Sequence, residues 1–423
     1  MRGVAVMAMS LWVGGWVSAA QKHDSSFLFT EAPQFEPLGV VRFPAGARVM
    51  LFSKGAARPL VPQFAASADA AVSFDAAKVL FAGKRSTSDA WSIWEIPLTG
   101  GEPRRLSSGD SDCILPFYLP QQKVIYACRT GQDFQIEIAR LDGSAPEPLT
   151  FGPGNKLPAG VLRDGRILFV APVPMGTDIY TMYSDGTGVE TYRCDHTAAR
   201  HSPVQLASGD ILFNSNGKLG RFTSTRAVQM DVTVPSGEYL GPALELMPGE
   251  LLLSYRQAAT GPFGLYQVGS TPTAVVARNA FQPVGITPRP VPPYHPSSRG
   301  DRDDANLLCL SVYTTKDAPI QTGSVSKVRL RSLDRSGAPV VLGEAPVESD
   351  GSFYVQTPTE RPLRFELLDA VGTMVRAEKG WFWTRRGEQR VCVGCHAGPE
   401  RSPDNAVPQV LLRTQTPVLL GGK

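Results

Sequence analysis

Two cysteines and a histidine near the end of the chain have the spacing of a cofactor-attachment motif. Cys392, Cys395 and His396 form C-x-x-C-H, with Val393 and Gly394 between the thiols. This spacing is typical of c-type haem attachment, in which both thiols bond to one porphyrin and the adjacent imidazole ligates its iron. Gly394 predicts a tight backbone turn between the two thiols. The motif therefore predicts one covalent haem c, attached through both cysteines, with the histidine on the iron.

Two other interpretations of the motif stay open at this point. Thiolate and imidazole groups at this spacing also hold zinc, and two cysteines three positions apart also form disulfides. Trp381-Phe382-Trp383 precedes the motif and would supply an apolar wall for a large flat cofactor. The specificity of the motif, together with the export predicted below, makes haem the first prediction and zinc the alternative.

Three further histidines are candidate metal or haem ligands. His196 and His201 lie in a polar segment that also contains Cys194 and Asp195, and all three side-chain types are capable ligands. His295 lies in a proline-rich segment and is a candidate distal axial ligand. Hydrogen bonding within a polar loop is the alternative interpretation for each of the three.

The first 20 residues have the pattern of a secretory signal peptide. Arg2 gives a positive start, residues 4–17 carry no charge and are largely apolar, and Ser18-Ala19-Ala20 offers small residues for cleavage. The apolar run is too short to span a bilayer, and no other stretch is long enough. We therefore predict a secreted or periplasmic protein with no transmembrane segment.

Export permits disulfides, and four cysteines remain outside the motif. Those cysteines, which admit three complete pairings, are Cys113, Cys128, Cys194 and Cys309. The last lies between leucines, and this apolar setting favours a buried thiol.

Composition favours an all-β fold, and the net charge gives no support for nucleic acid as a partner. The 423 residues include 41 Gly and 36 Pro, with few long helical patterns, which favours a turn-rich all-β chain. The net charge of +3 is too small to indicate a nucleic-acid-binding protein. The redox or binding chemistry must therefore come from particular sites.

Short apolar strands recur between about residues 65 and 280 with a period of 40 to 45. The aligned segments of five successive units begin at Lys78, Lys123, Arg166, Asp210 and Glu250. A period of this length with about four strands per unit is typical of a β-propeller blade. The sequence predicts a propeller over residues 21–283, with six blades and with seven or five as the alternatives. A strand from beyond residue 270 is expected to close it.

The remainder of the chain predicts a second β domain. Residues 284–304 are a proline-rich linker, because proline at this density forces an extended path. Residues 305–423 alternate apolar and polar positions, as at Lys327-Val328-Arg329-Leu330-Arg331. They predict a small antiparallel β-sandwich that carries the C-x-x-C-H segment and a C-terminal tail.

The repeats resemble those of known propellers. Phe81-Ala82-Gly83-Lys84-Arg85 and the following Trp91-Ser92-Ile93-Trp94-Glu95-Ile96 look like the WD40-like repeats of TolB-type proteins. This resemblance implies an exported propeller that serves as a binding scaffold, with a structural or zinc-binding C-x-x-C-H.

The whole layout is similar to the propeller and middle domains of hydrazine synthase alpha subunits. Leu307-Leu308-Cys309-Leu310, Asp350-Gly351-Ser352-Phe353 and Trp381-Phe382-Trp383 before C-x-x-C-H carry this resemblance. It implies a haem-dependent oxidoreductase or electron-transfer protein with a redox partner or further subunits.

The sequence departs from that family at the motif. There a tyrosine four positions after the motif histidine ligates iron and the histidine binds zinc, whereas Glu400 stands at that position here. The synthase also has a further haem domain, and this chain has one C-x-x-C-H. The family's iron ligation and its reaction are therefore not carried over.

Overall fold

The computed structural model describes residues 26–193, 199–224, 227–269, 271–295, 297, 299–315, 318–394, 406–414 and 416–421. Regular structure in these residues is almost entirely β-strand, so the predicted all-β class is confirmed. No helix in the same ranges is long and apolar enough to cross a membrane. The predicted signal peptide lies outside the described residues.

Six four-stranded antiparallel sheets, which we call blades 1 to 6, follow one another along residues 27–285. Blade 1 contains β1 (Phe27–Glu31), β2 (Arg48–Ser53), β3 (Ala56–Pro59) and β24 (Ala280–Gly285). Blade 2 contains β4 (Ala66–Val72), β5 (Lys78–Lys84), β6 (Ser92–Pro97) and β7 (Arg104–Arg105). Blade 3 contains β8 (Cys113–Leu119), β9 (Lys123–Thr130), β10 (Asp133–Arg140) and β11 (Glu147–Pro148).

The other three blades have the same strand order. Blade 4 contains β12 (Leu157–Val161), β13 (Ile167–Val173), β14 (Gly176–Met182) and β15 (Glu190–Thr191). Blade 5 contains β16 (Arg200–Gln205), β17 (Ile211–Ser215), β18 (Lys218–Phe222) and β19 (Gln229–Asp231). Blade 6 contains β20 (Glu238–Met247), β21 (Glu250–Arg256), β22 (Gly264–Val268) and β23 (Thr273–Val276). The five repeated segments of the sequence are the second strands of blades 2 to 6, as expected.

The innermost strands of the blades contact one another in a closed ring. β4 contacts β8, and contacts continue through β12, β16, β20 and β24 back to β4. Blade 1 joins both ends of this ring, because β1 pairs with β2 on one side and with β24 on the other. The Oγ1 of Thr30 donates to the Oε1 of Gln282 at 2.8 Å across that junction. The expected closing strand is therefore present.

Every innermost strand contains a β-bulge. Five of the six place one residue in the left-handed region, namely Asp69, Leu115, Ser202, Gly241 and Gln282. β12 is bulged between Pro158 and Gly160 without a left-handed residue. A bulge sharpens the local twist and re-aims one side chain, so each blade presents an irregular inner edge.

The second domain is a sandwich of two four-stranded sheets around one apolar core. The first sheet has the order β31 (Gln389–Gly394), β25 (Asp304–Ser311), β28 (Phe353–Pro358), β32 (Val418–Leu419). The second has the order β27 (Pro339–Pro346), β26 (Lys327–Leu333), β29 (Leu363–Leu368), β30 (Met374–Ala377). A short helix, α1 (Gln409–Arg413), precedes β32. Leu307 and Val355 of the first sheet pack with Val328 and Leu330 of the second.

The prediction of a purely antiparallel sandwich is wrong for the first sheet. β25 pairs with β31, and β28 with β32, in parallel. Parallel neighbours require a long connection between the paired strands. The chain after β30 crosses to the propeller side before it returns as β31, which provides such a connection.

Candidate cofactor site at the edge of the sandwich

The first half of the C-x-x-C-H motif lies on β31, at the edge of its sheet. Cys392 is half-buried there and is the register partner of Cys309 on β25. Register partners on neighbouring strands have their side chains on the same face of a sheet, so the two sulfurs share one face. Cys395, His396 and Glu400 lie outside the described residues, so the expected placement of the second thiol and the imidazole stays a prediction.

Gly394 is required for close approach and does not form the tight turn that the sequence suggested. It is the last residue of β31 and has no positive φ. A Cβ at this position would lie 2.3 Å from the carbonyl oxygen of Thr314 and 2.7 Å from that of Ser311. The glycine therefore lets the motif strand lie against the backbone that follows β25.

The environment of Cys392 favours a protonated thiol. Burial raises the pKa of Cys392, and the nearby Arg390 guanidinium opposes this change. A thiol, rather than a thiolate, is consequently the resting form of this sulfur near neutral pH.

Arg390 is an unsatisfied donor next to this thiol. Its Nη2 donates to the carbonyl oxygen of Val189 in the propeller, and its guanidinium lies 5.7 Å from the ring centre of Phe382. Its Nη1 is buried and has no hydrogen-bond acceptor among the described residues. A buried donor without an acceptor costs about 1–3 kcal/mol. Burial opposes the charge of this guanidinium, but Glu388, Glu190 and Glu378 already lie near it and raise its pKa. A ligand carboxylate beside Cys392 would therefore supply only the one acceptor that Nη1 lacks, and this single donor is what the described part of the site offers to a porphyrin propionate.

The aromatic segment before the motif, which was expected to supply an apolar wall for the cofactor, also joins the two domains. Trp383 is 1 % exposed and packs with apolar residues of blades 3 and 4. Its ring centroid lies 6.2 Å from that of Phe169 and 6.3 Å from that of Phe151. Phe382 packs on Phe365 of the sandwich, with centroids 5.2 Å apart. Phe382 is thus the ring of this segment with a described contact to Arg390.

Charged groups next to this aromatic contact bind the sandwich to the propeller. Arg385 is buried; it donates to the carbonyl oxygen of Pro148 at 2.7 Å and forms an ion pair with Glu147. Glu388 accepts a hydrogen bond from the amide of Gly188 at 2.9 Å. β31 is thus held at a fixed position against blades 3 and 4.

The other predicted ligands lie in separate places. His201 is in β16, where its Nδ1 lies 3.0 Å from the Oγ of Ser202 and burial lowers its pKa to about 4. His295 lies on blade 4, where its Nε2 is 2.6 Å from the carbonyl oxygen of Asp164. Cys194 and His196 lie outside the described residues. The described ranges contain no cluster of three or more metal-ligating side chains.

Among the candidate disulfide cysteines, Cys113 and Cys128 form one bond. They are register partners on β8 and β9 of blade 3. Cys309 is 4 % exposed within the sandwich core, as its leucine neighbours indicated.

Sequence reasoning missed Arg385 and Arg390. The alternating pattern from Gln389 to Gly394 is a weak signal for the strand that carries the second of them. Neither its propeller partner nor its missing acceptor has any signal in the sequence.

The fold and this edge site define a class: a β-propeller followed by a β-sandwich with a cysteine motif on its edge strand. Residues 320–397 match the family model described as the hydrazine synthase alpha subunit middle domain. The chain is similar in structure to hydrazine synthase of Kuenenia stuttgartiensis, with a TM-score of 0.78 at 16% identity, over 92% of this chain and 71% of that one. This resemblance, expected from the sequence, is thereby confirmed.

Two TolB structures are similar to part of the chain. A putative TolB from Agrobacterium tumefaciens aligns over 61% of this chain and 94% of its own, with a TM-score of 0.36 and 18% identity. TolB from Acinetobacter baumannii aligns over 61% and 66%, with a TM-score of 0.41 and 13% identity. No functionally curated protein matches the sequence.

Proposed function

We propose that this chain is an exported mono-haem c-type protein, similar to the alpha subunit of hydrazine synthase, with an electron-transfer or oxidoreductase role. The observation that carries the proposal is the C-x-x-C-H motif beginning on an edge strand, inside the segment that matches the synthase middle domain. A redox protein or further subunits would be its partners. The charge and apolar run of residues 1–20 support export.

Residues of this chain have distinct roles in the proposal. Cys392 and Cys395 hold the porphyrin, and His396 holds the iron. Bound haem supplies one-electron redox chemistry that the side chains lack. Arg390, whose Nη1 lacks an acceptor among the described residues, would be available to a carboxylate of the porphyrin, and its hydrogen bond to Val189 fixes this side chain relative to blade 4.

The test is covalent haem in protein matured in a strain that assembles c-type cytochromes. A pyridine haemochrome spectrum of the denatured, purified protein is expected to show one haem per chain. The double variant Cys392→Ser/Cys395→Ser should lose it and keep its far-UV circular dichroism, because serine preserves the backbone pairing of β31 with β25 at the edge of the sheet. Wild-type protein without covalent haem, from a strain that matures other c-type proteins, contradicts the proposal.

A second candidate is a scaffold protein with a structural zinc ion at the same motif. The position of Cys309, in register with Cys392, favours it because a further sulfur lies on the same face of the sheet as the first cysteine of the motif. Three cysteines and one histidine make a complete structural zinc set.

Cys309→Ser separates the two candidates. In the zinc protein this variant loses metal, measured by mass spectrometry of the purified protein. In the haem protein it keeps haem, because attachment uses Cys392 and Cys395 alone. Ser349→Ala, which changes the exposed turn between β27 and β28, is the control and should alter neither.

A further inference from the structure

A cavity of about 100 Å³ opens in the propeller, away from the cysteine motif. It lies between blades 2 and 3, beneath the connection from β1 to β2. Arg42, Phe43, Asp69, Lys84, Trp91 and Asp112 are among the residues that line it. The disulfide at Cys113, the residue after Asp112, fixes one wall.

The two carboxylates of this cavity are already neutralised. Asp69 pairs with the guanidinium of Arg42, and its Oδ1 also accepts from the Nε2 of Gln282 at 2.8 Å. Asp112 accepts from the amide of Trp91 at 2.9 Å, and its Oδ2 lies 3.3 Å from the Nη2 of Arg129. Neither carboxylate is left to attract a cation.

Lys84 is the remaining charge on the wall. Its ammonium lies 5.5 Å from the ring centroid of Trp91. It makes no ion pair within the part of the chain that the structure describes. The cavity therefore has one cation that is not neutralised by a carboxylate.

The guanidinium of Arg42 is a second hydrogen-bond donor on the cavity wall. Arg42 is 7 % exposed, and its guanidinium carbon lies 5.3 and 5.5 Å from the ring centroids of Phe35 and Phe43, which stack on each other. Its Nε is buried and has no acceptor among the described residues. A buried donor of this kind is stabilised by a ligand oxygen.

The rest of the lining is apolar. Ile114 and Phe134 complete the interior, and Val40 and Val41 stand at the mouth, 48% and 57% exposed. Apolar walls with a few placed polar groups are typical of small-molecule sites.

We propose that this cavity binds a small monocarboxylate with a compact apolar body. The carboxylate faces Lys84 and Arg42, and the body packs on Phe43 and Trp91. The site rests on propeller residues alone and does not depend on the proposed haem.

The test is titration of the full chain with benzoate and butyrate by isothermal calorimetry, with benzamide as the neutral analogue of benzoate. Both carboxylates are expected to bind, and benzamide should bind about tenfold more weakly, because one charge-assisted hydrogen bond is worth at least that factor. Lys84→Met should weaken benzoate by a similar factor. Lys218→Met, an exposed lysine on β18, is the control and should leave binding unchanged.

Three results would overturn the proposal. They are the absence of saturable binding by either carboxylate, equal binding of benzamide and benzoate, and unchanged benzoate affinity in Lys84→Met. Far-UV circular dichroism of each variant establishes that the propeller is folded. For Lys84→Met, a fluorine NMR titration with 4-fluorobenzoate gives a second readout of the same affinity.

Discussion

His201 shows how one half-buried side chain makes the propeller sensitive to acid. Burial lowers its pKa to about 4. The unfolded chain therefore takes up a proton below about pH 6.5, and the folded chain does so only near pH 4. Stability contributed by the neutral ring is present above pH 6.5 and is lost as the pH falls from there to about 4.

We predict that His201→Gln makes the propeller less sensitive to acid across this window. The shift corresponds to a loss on the order of 3 kcal/mol in wild type between pH 6.5 and 4. Urea denaturation at several pH values measures it. Ser202→Ala keeps the imidazole and should retain the wild-type dependence; equal pH dependence in wild type and His201→Gln would contradict this account.

At the residue scale, the sequence reveals which motif is present but not which residues lie around it in the fold. Cys392 was recognisable from spacing alone. Cys309 was correctly expected to be buried, because leucines flank it. Its position beside Cys392 was not predictable, since register between strands 83 residues apart depends on packing of the whole sandwich. Gly394 was singled out correctly for the wrong reason, because an approaching backbone has no local signal.

At the scale of elements, the disulfide of blade 3 is a covalent link between its first two strands. Cys113 and Cys128 are separated by 15 residues. A loop of that length corresponds to about 3 kcal/mol of stabilisation in the chain-entropy account. Both side chains are buried, at 1 % and 7 % exposure, so alanine replacements leave small cavities.

We predict that Cys113→Ala/Cys128→Ala lowers the free energy of unfolding by about 3 kcal/mol. The measurement is urea denaturation with and without reductant. Reductant should destabilise wild type and leave the double variant unchanged. A double variant as stable as oxidised wild type would contradict the prediction.

The strands that could be predicted from the sequence are those that recur with the period of the blades. β5, β9, β13, β17 and β21 were found from periodicity, because each blade buries its second strand on both faces and so needs an apolar run. The parallel pairing of β31 was not found. An alternating strand has the same pattern in either direction, and the choice depends on the connection that precedes it.

At the scale of the whole molecule, Trp383 makes the propeller and the sandwich depend on one another. It belongs to the sandwich chain segment but is buried among residues of blades 3 and 4. We predict that Trp383→Ala lowers stability by about 3–5 kcal/mol, as expected for loss of a buried aromatic ring. Calorimetry should also separate the unfolding of the two domains, because their shared core is reduced.

Trp381→Ala is the matched control, two residues earlier and only half-buried. It should retain a single transition close to that of wild type. Equal destabilisation by both changes would show that Trp383 has no special role. The sequence indicated two domains and their linker, but not this contact, since a docking surface between domains has no periodic signal.

The junction of β1 with β24 has a mechanical consequence. Phe27 at the start of β1 is paired with Gly285 at the end of β24. The segment before β1 and the segment after β24 therefore leave the propeller at the same end of this strand pair. A tension applied between those two segments acts across this pair and opens its hydrogen bonds one after another, beginning at Phe27. The closure of the ring therefore depends on one strand pair that is loaded from its end, and the sandwich, attached through residue 286, lies on one side of that pair.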